Sequence, residues 1–160
     1  MPCRFINISN DLKAITQLIQ KELGYGSMNE EDVLFQLKAM EKNDQYQSIV
    51  FEKDGEVFGF AGLAYLYAYV TKGQYARLIA LAVREDKQHT GIGSSLLAYA
   101  QTCAKAHAAS DIAISSGLCR QQAHAFYEQK AIRKRDIHLQ NNYKGVDEHG
   151  NECPLYCLFN

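Results

Sequence analysis

Residues 75–95 read YARLIALAVREDKQHTGIGSS, and no other stretch of the chain restricts the fold as strongly. An apolar run over residues 78–83 precedes a charged elbow at residues 84–87 and a glycine-bearing turn at residues 88–93. From Ser94 to His107 apolar residues return at helical spacing, with Leu96, Leu97, Ala100, Cys103 and Ala104 on one face. A strand, a turn and a helix in that order offer backbone N–H groups at the positive end of a helix dipole, a seat for phosphate oxygens. Gly91 and Gly93 permit backbone angles and a close approach that side chains would obstruct. Taken alone, the two glycines are read equally well as a plain chain reversal. The turn is not a Walker loop, because no Gly-Lys-Ser or Gly-Lys-Thr follows, and it lacks the three-glycine dinucleotide spacing. Ser94 and Ser95 at the helix start favour the phosphate reading.

Gln88-His89-Thr90-Gly91-Ile92-Gly93 resembles the Gln/Arg-x-x-Gly-x-Gly/Ala signature of the GNAT superfamily of acyl-coenzyme A dependent N-acetyltransferases. Leu81 and Val83 fall where that family ends its fourth strand, and residues 123–128, AHAFYE, resemble its later helix ending in a tyrosine. The resemblance is strong over about residues 78–133. It implies an α/β fold with a mixed, mostly antiparallel sheet, a central parallel strand pair and flanking helices. It also implies acetyl-CoA as the acetyl donor. The main chain near Leu81 and Val83 would pair with the pantetheine amides, and Gln88, His89, Thr90, Gly91, Ile92, Gly93 and Ser94 would wrap the pyrophosphate. Arg120 lies near the position of a coenzyme-contacting asparagine in many relatives, and a guanidinium fits a phosphate. On the residues alone Arg120 is equally a surface arginine.

Tyr127 matches the family tyrosine that stabilises or protonates the departing coenzyme thiolate. Without the resemblance it reads as a core aromatic. Two positions depart from the family pattern. Ile79 stands where many relatives carry a glutamate in the fourth strand, and Ala131 and Ile132 replace the usual Gly-Phe after the tyrosine helix.

Ile79 matters because of the acceptor. An amine of pKa about 10.4 is about 3.4 units above neutrality, so exposing its lone pair costs about 4.6 kcal/mol. A base, a water chain or a mostly protonated substrate pool must meet that requirement. Glu85 and Asp86 sit in the elbow, where solvation explains them, and Glu31, Tyr65 and His138 are more remote alternatives.

The chain has 160 residues, 47% of them hydrophobic, which suits one domain over residues 1–160. With 17 basic and 18 acidic residues, a net charge of -1 gives no footprint for nucleic acid. Cys3, Cys103, Cys119, Cys153 and Cys157 are odd in number and scattered, like thiols of a reducing compartment. Cys153, Cys157 and His149 make only a weak zinc pattern, and no metal is expected. No secretory leader is expected from the first residues, and the apolar run at residues 57–70 is too short to span a bilayer. A cytoplasmic protein without membrane contact is expected, with an amine-bearing small molecule or protein as its substrate. A homodimer is compatible with this reading.

In chain order the pattern predicts a strand at residues 4–8 and a helix over 11–23 with Gly24 as its stop. A second helix follows Ser27, with Ser27 and Glu30 as a capping box. Strands at 48–51 and 57–67 join through Asp54-Gly55, and Tyr65, Tyr67 and Tyr69 either pack the strand or enter the acceptor cleft. A parallel strand is expected at 111–115, a helix at 121–130, and final antiparallel strands at 135–140 and 155–159. The acidic turn of Glu30, Glu31 and Asp32 suits a helix N-terminus and also a rim that attracts a cationic amine. The leading function is acetyl transfer from acetyl-CoA to an amine by direct attack in a ternary complex. The alternatives are a catalytically weak acyl-CoA-binding regulatory or assembly protein, and transfer of a longer acyl group.

Overall fold

Alternating apolar residues between positions 46 and 83 form three long antiparallel strands, around which the rest of the chain is layered. The computed structural model describes residues 2–115, 125–127, 137–138, 144–146 and 152–154. The elements are β1 (Cys3–Phe5), α1 (Ile8–Lys21), α2 (Glu30–Glu41), β2 (Tyr46–Lys53), β3 (Glu56–Tyr67) and β4 (Gln74–Val83). A 3-10 turn (Glu85–Lys87), α3 (Ile92–Ala106), β5 (Ile112–Ser115), β6 (Ile137–His138), β7 (Lys144–Val146) and β8 (Glu152–Pro154) follow. One sheet has the order β1-β2-β3-β4-β5-β6, and β7 pairs with β8 in a second. Pairing is antiparallel from β1 to β4, then parallel between β4 and β5 and between β5 and β6.

This is the expected mixed sheet, with β4 an interior strand parallel to β5. The last part differs from the expectation. The strand within 135–140 is parallel to β5, and the antiparallel β7–β8 hairpin forms inside the segment read as a connection. Residues 155–159 lie outside the described residues.

Asp54 and Gly55 have φ of 55° and 80°, the left-handed pair that a tight two-residue hairpin demands. Both helix starts differ from the sequence reading. Asn7 accepts from the Asn10 N–H at 3.2 Å and starts α1 three residues early. At α2 the capping box is Asn29 with Asp32, not Ser27 with Glu30. Asn29 Oδ1 accepts from the Asp32 N–H at 2.9 Å, and Asp32 Oδ2 accepts from the Asn29 N–H at 3.2 Å. The two boxes share a spacing, and the one nearer the buried Val33 prevails.

Period two sorts the sheet residues onto two faces. Ile49, Phe51, Ala61, Leu63, Tyr65, Ala76 and Leu78 pack with Leu96, Leu97, Ala100 and Cys103 of α3. Val50 and Phe60, of opposite parity in their strands, pack with Ile15 and Leu18 of α1 and Val33 and Leu37 of α2. Ala82 joins them although it shares the parity of Ala76 and Leu78, because β4 carries an extra residue at Ile79. Among the described residues no helix is long and apolar enough to cross a membrane.

Asp11, only 2% exposed, ties α1 to β1. Its carboxylate accepts from Arg4 at 2.8 and 2.9 Å and from the Asn7 N–H at 2.7 Å. Burial raises its pKa, but the Arg4 and Asn7 hydrogen bonds outweigh burial and hold it below the ordinary aspartate value. The stabilisation is therefore complete above the unfolded pKa of about 3.9 and is lost as pH falls through the depressed folded value. Asp11→Asn is expected to cost about 2 kcal/mol at neutral pH. The difference in melting temperature between wild type and variant should shrink on acidification from pH 6 toward pH 2; a constant difference would refute the charge pair as its source.

Candidate active site

β4 carries one residue more than its antiparallel neighbour. Gly62 pairs with Ala80 and Leu63 with Leu78, so Ile79 is a bulge. Its consequence follows from the hydrogen-bond parity of the strand. The Ala76 N–H donates to the Asp111 carbonyl at 2.9 Å, so before the bulge the even residues face β5. After it the Arg84 N–H donates to the Phe58 carbonyl at 2.8 Å, so the even residues now pair with β3. The backbone groups of Leu81 and Val83 are thereby turned toward the β5 side. Pairing with β5 covers only Ala76, Arg77 and Leu78, so Leu81 and Val83 lie beyond the paired segment.

Gly62 carries the other sign of the bulge. A Cβ at that glycine would stand 3.2 Å from Ile79 Cγ1 and 3.6 Å from Ala80 Cβ, so both side chains lie on the α1–α2 face. Leu81 and Val83 pack toward α3 instead. A strictly alternating strand would not present adjacent positions in this way.

The loop after β4 is held by its own charges. Arg84 binds Asp86 at 2.5 Å, pairs with Glu56, and lies 4.6 Å above the Phe58 ring. The Lys87 N–H donates to Arg84 O at 2.8 Å, the Gln88 N–H to Glu85 O at 3.2 Å, and Thr90 Oγ1 to Lys87 O at 2.5 Å. His89 and Gly91 then take positive φ, 60° and 89°. Helix α3 begins at Ile92, two residues before the expected start, so Gly93 and Ser94 lie in its first turn.

From His89 to Ser94 no backbone N–H donates a hydrogen bond among the described residues; donation resumes with Ser95 to Gly91 O at 3.0 Å. Left-handed residues alternating with ordinary ones curve successive N–H groups into one concavity. The first turns of α1 and α2 contain carboxylates and their caps are made by asparagine side chains, whereas α3 has neither. An anion there meets six donors and the helix dipole without a competing negative side chain in that turn.

Gly93 connects this concavity to the tyrosine segment. Its position lies 3.5 Å, measured from an added Cβ, from Phe126 Cζ and 3.7 Å from Val83 Cγ2, ordinary contacts that bring residues 125–127 against the start of α3. Those three residues are helical, and Phe126 meets Tyr127 edge to face at 5.4 Å. Tyr127 is 7% exposed and belongs to the cluster on the α3 face. Arg120 and the Ala131-Ile132 pair lie outside the described residues.

The structure separates the other candidates. Tyr65 is fully buried on the α3 face, stacked on His107 at 3.9 Å, with its hydroxyl donating to Gln47 Oε1 at 2.7 Å. Burial, followed by the Cys103 thiol, pushes its pKa up to about 12. It is thus a packed strand residue with little capacity as a base. Tyr67 and Tyr69 are exposed near the β3–β4 turn, and His107 caps the end of α3. Glu31 is exposed at the start of α2, and Asp86 is engaged by Arg84. The side chain of His138 lies outside the described residues, as do Cys119, Cys157 and His149. Among the described residues no three His, Cys, Asp or Glu side chains are grouped to hold a metal ion.

Sequence reasoning missed two features, the bulge at Ile79 and the carboxylate of Glu22. Glu22 Oε1 accepts from the Glu85 N–H at 3.0 Å, and Oε2 accepts from Gln88 Nε2 at 3.3 Å. No local pattern signals either one. The run LIALAV reads as unbroken strand, and the Glu22 contact joins residues more than sixty positions apart.

Comparison with solved structures supports this architecture. A transcriptional regulator from Bacillus halodurans C-125 superposes with a TM-score of 0.79 at 20% identity, covering 88% of this chain and 98% of that one. An aminoglycoside antibiotic 6'-N-acetyltransferase from Acinetobacter haemolyticus gives 0.75 at 16% identity, covering 92% and 100%. An aminoglycoside N-acetyltransferase in complex with CoA gives 0.74 at 16% identity, covering 82% and 86%. At these identities the likeness is one of fold. No curated protein sequence matches significantly. The sequence model of the Acetyltransferase (GNAT) family matches residues 12–131. That match spans well over half of the chain and takes in β4, the loop, α3 and Tyr127, so the protein belongs to the GNAT family of acetyltransferases.

Proposed function

We propose that the protein transfers an acetyl group from acetyl-CoA to an amine by direct attack within a ternary complex. The observation that carries this reading is the run of six N–H groups from His89 to Ser94 that donate to no acceptor among the described residues, at an acid-free helix start. These groups hold the pyrophosphate, and the main chain of Leu81 and Val83, turned outward by the bulge, pairs with the pantetheine amides. Arg120 adds a cationic contact to the coenzyme phosphates. Bound acetyl-CoA supplies the thioester. As the amine nitrogen bonds to the carbonyl carbon and the carbon–sulfur bond breaks, the Tyr127 hydroxyl donates its proton to the departing sulfur. The amine proton leaves through water, since Ile79 on the α1–α2 face cannot accept it.

The acceptor is an amine-bearing small molecule or protein reached from the α1–α2 face. Asp32 is engaged in the α2 cap, which leaves Glu30 and Glu31 as the exposed acidic rim that a cationic acceptor would meet. A second reading, a coenzyme-binding regulatory or assembly protein with weak turnover, is favoured by the apolar Ile79.

Titration with acetyl-CoA tests the seat. Saturable binding is expected, with Gly91→Leu at least about tenfold weaker. A Cβ at Gly91 meets nothing within 4 Å, so the free protein bears only left-handed strain of about 1–2 kcal/mol. Folded wild type that shows no binding at millimolar acetyl-CoA would reject the proposal. Binding without acetyl transfer to any of a broad amine panel would favour the regulator.

A further inference from the structure

The geometry points to Glu22 as a residue that positions the coenzyme loop through Gln88, an inference that rests on the pyrophosphate seat proposed above. Glu22 is the C-cap of α1, the helix that packs on the face opposite α3. Its carboxylate reaches the loop twice, accepting from the Glu85 N–H at 3.0 Å and from Gln88 Nε2 at 3.3 Å. The same Gln88 nitrogen donates to the Val83 carbonyl at 3.1 Å. An amide nitrogen has two hydrogens, and both are engaged. The Gln88 side chain is thus fixed as a bracket between the end of α1 and the end of β4.

Gln88 is also the hinge at which the loop turns into the donor concavity. Its own N–H closes the 3-10 turn on Glu85 O at 3.2 Å, and the left-handed His89 follows directly. Holding Gln88 therefore sets the direction from which the N–H groups of residues 89–94 diverge. Fixing those donors before binding removes an ordering cost that the coenzyme would otherwise meet.

A carboxylate beside an anion seat has an opposing effect, repulsion, and the two effects differ in size and sign. A screened surface charge alters affinity about twofold. Loss of a charge-assisted hydrogen bond that orders the donors alters it about tenfold. Glu22→Gln separates them. The variant removes the charge and keeps the shape, but whichever way its amide turns, either Glu85 or Gln88 loses its acceptor. Repulsion alone predicts tighter binding, and positioning predicts weaker binding.

The experiment measures Kd for acetyl-CoA, and KM and kcat with a reactive amine, for wild type, Glu22→Gln, Gln88→Ala, the double variant and Gly91→Leu, each checked by thermal melting. The expected result is a Kd and KM raised about five- to tenfold in Glu22→Gln, with kcat at saturation within about twofold of wild type. In the Gln88→Ala background the same substitution should add little, because the two residues act as one unit. Unchanged or tighter binding by Glu22→Gln, or full additivity with Gln88→Ala, would overturn the assignment. If Gly91→Leu weakens binding while Glu22→Gln does not, Glu22 alone loses its role. Failure of wild type to bind removes both the seat and this inference.

Discussion

Replacing Tyr127 by phenylalanine is expected to lower the single-turnover rate of acetyl transfer about 10²-fold or more, with acetyl-CoA affinity near wild type. Charge developing on sulfur as the thioester opens requires a donor, and phenylalanine removes that donor alone. Most of the aromatic volume that fills the α3-face cluster is retained, so the change separates chemistry from packing. The structure makes this separation necessary, because Tyr127 is 7% exposed and joins the core as well as lying beside Phe126 near the start of α3. Loss of a buried hydroxyl is expected to cost about 1 kcal/mol of stability, too little to unfold the protein. The chemical step must be read directly, since slow product release would mask the effect in steady-state kcat. A correctly folded variant with an unchanged single-turnover rate would show that the tyrosine only packs.

Much of this arrangement was legible because its determinants are local. The apolar run at residues 78–83, the glycines at 91 and 93 and the helical spacing beyond them specify strand, turn and helix within a few residues of one another. Asp54-Gly55 specifies its hairpin in the same way, through a pair that tolerates positive φ. Local chemistry fails where two solutions share a pattern, as with Ser27-Glu30 and Asn29-Asp32, where the burial of Val33 selects between them. It fails altogether where the determinant is a partner distant in sequence. Ile79 is a bulge only because β3 and β4 register differently on its two sides, and that displacement is what turns Leu81 and Val83 outward. Tyr65 illustrates the same limit. Its residue type suits a cleft or a core equally, and the parity of β3, fixed by Leu63 and Ala61 packing under α3, buries it. The parallel pairing of β6 with β5 likewise depends on the sheet edge it meets, not on its own two residues.

Gly59 and Gly62 lie on opposite faces of β3 and should respond very differently to alanine. A Cβ at Gly59 would stand 2.7 Å from the Ala82 carbonyl oxygen, 3.1 Å from Leu96 Cδ1 and 3.4 Å from Ile92 Cγ2. The oxygen belongs to the adjoining strand and cannot yield unless β3 and β4 separate, so Gly59→Ala is expected to cost about 3 kcal/mol. At about 2–4 °C per kcal/mol for a chain of this size, its melting temperature should fall by about 6–12 °C. At Gly62 the nearest atom is Ile79 Cγ1 at 3.2 Å, part of a side chain that can adjust its rotamer. That strain is of the same order as the gain of about 0.4–1 kcal/mol from a less flexible unfolded chain, so Gly62→Ala should be near neutral. The contrast reaches the active site. Ile92 and Leu96 are in the first two turns of α3, so a methyl group under them would shift the N–H groups of Ile92, Gly93 and Ser94, which the proposed seat aims at the pyrophosphate. Gly59→Ala should therefore weaken acetyl-CoA binding as well as stability, when measured well below its melting temperature. A Gly59→Ala protein that melts within about 2 °C of wild type, or a Gly62→Ala protein that is the less stable of the two, would show that the close approach of α3 to the sheet at Gly59 does not set the geometry of the loop.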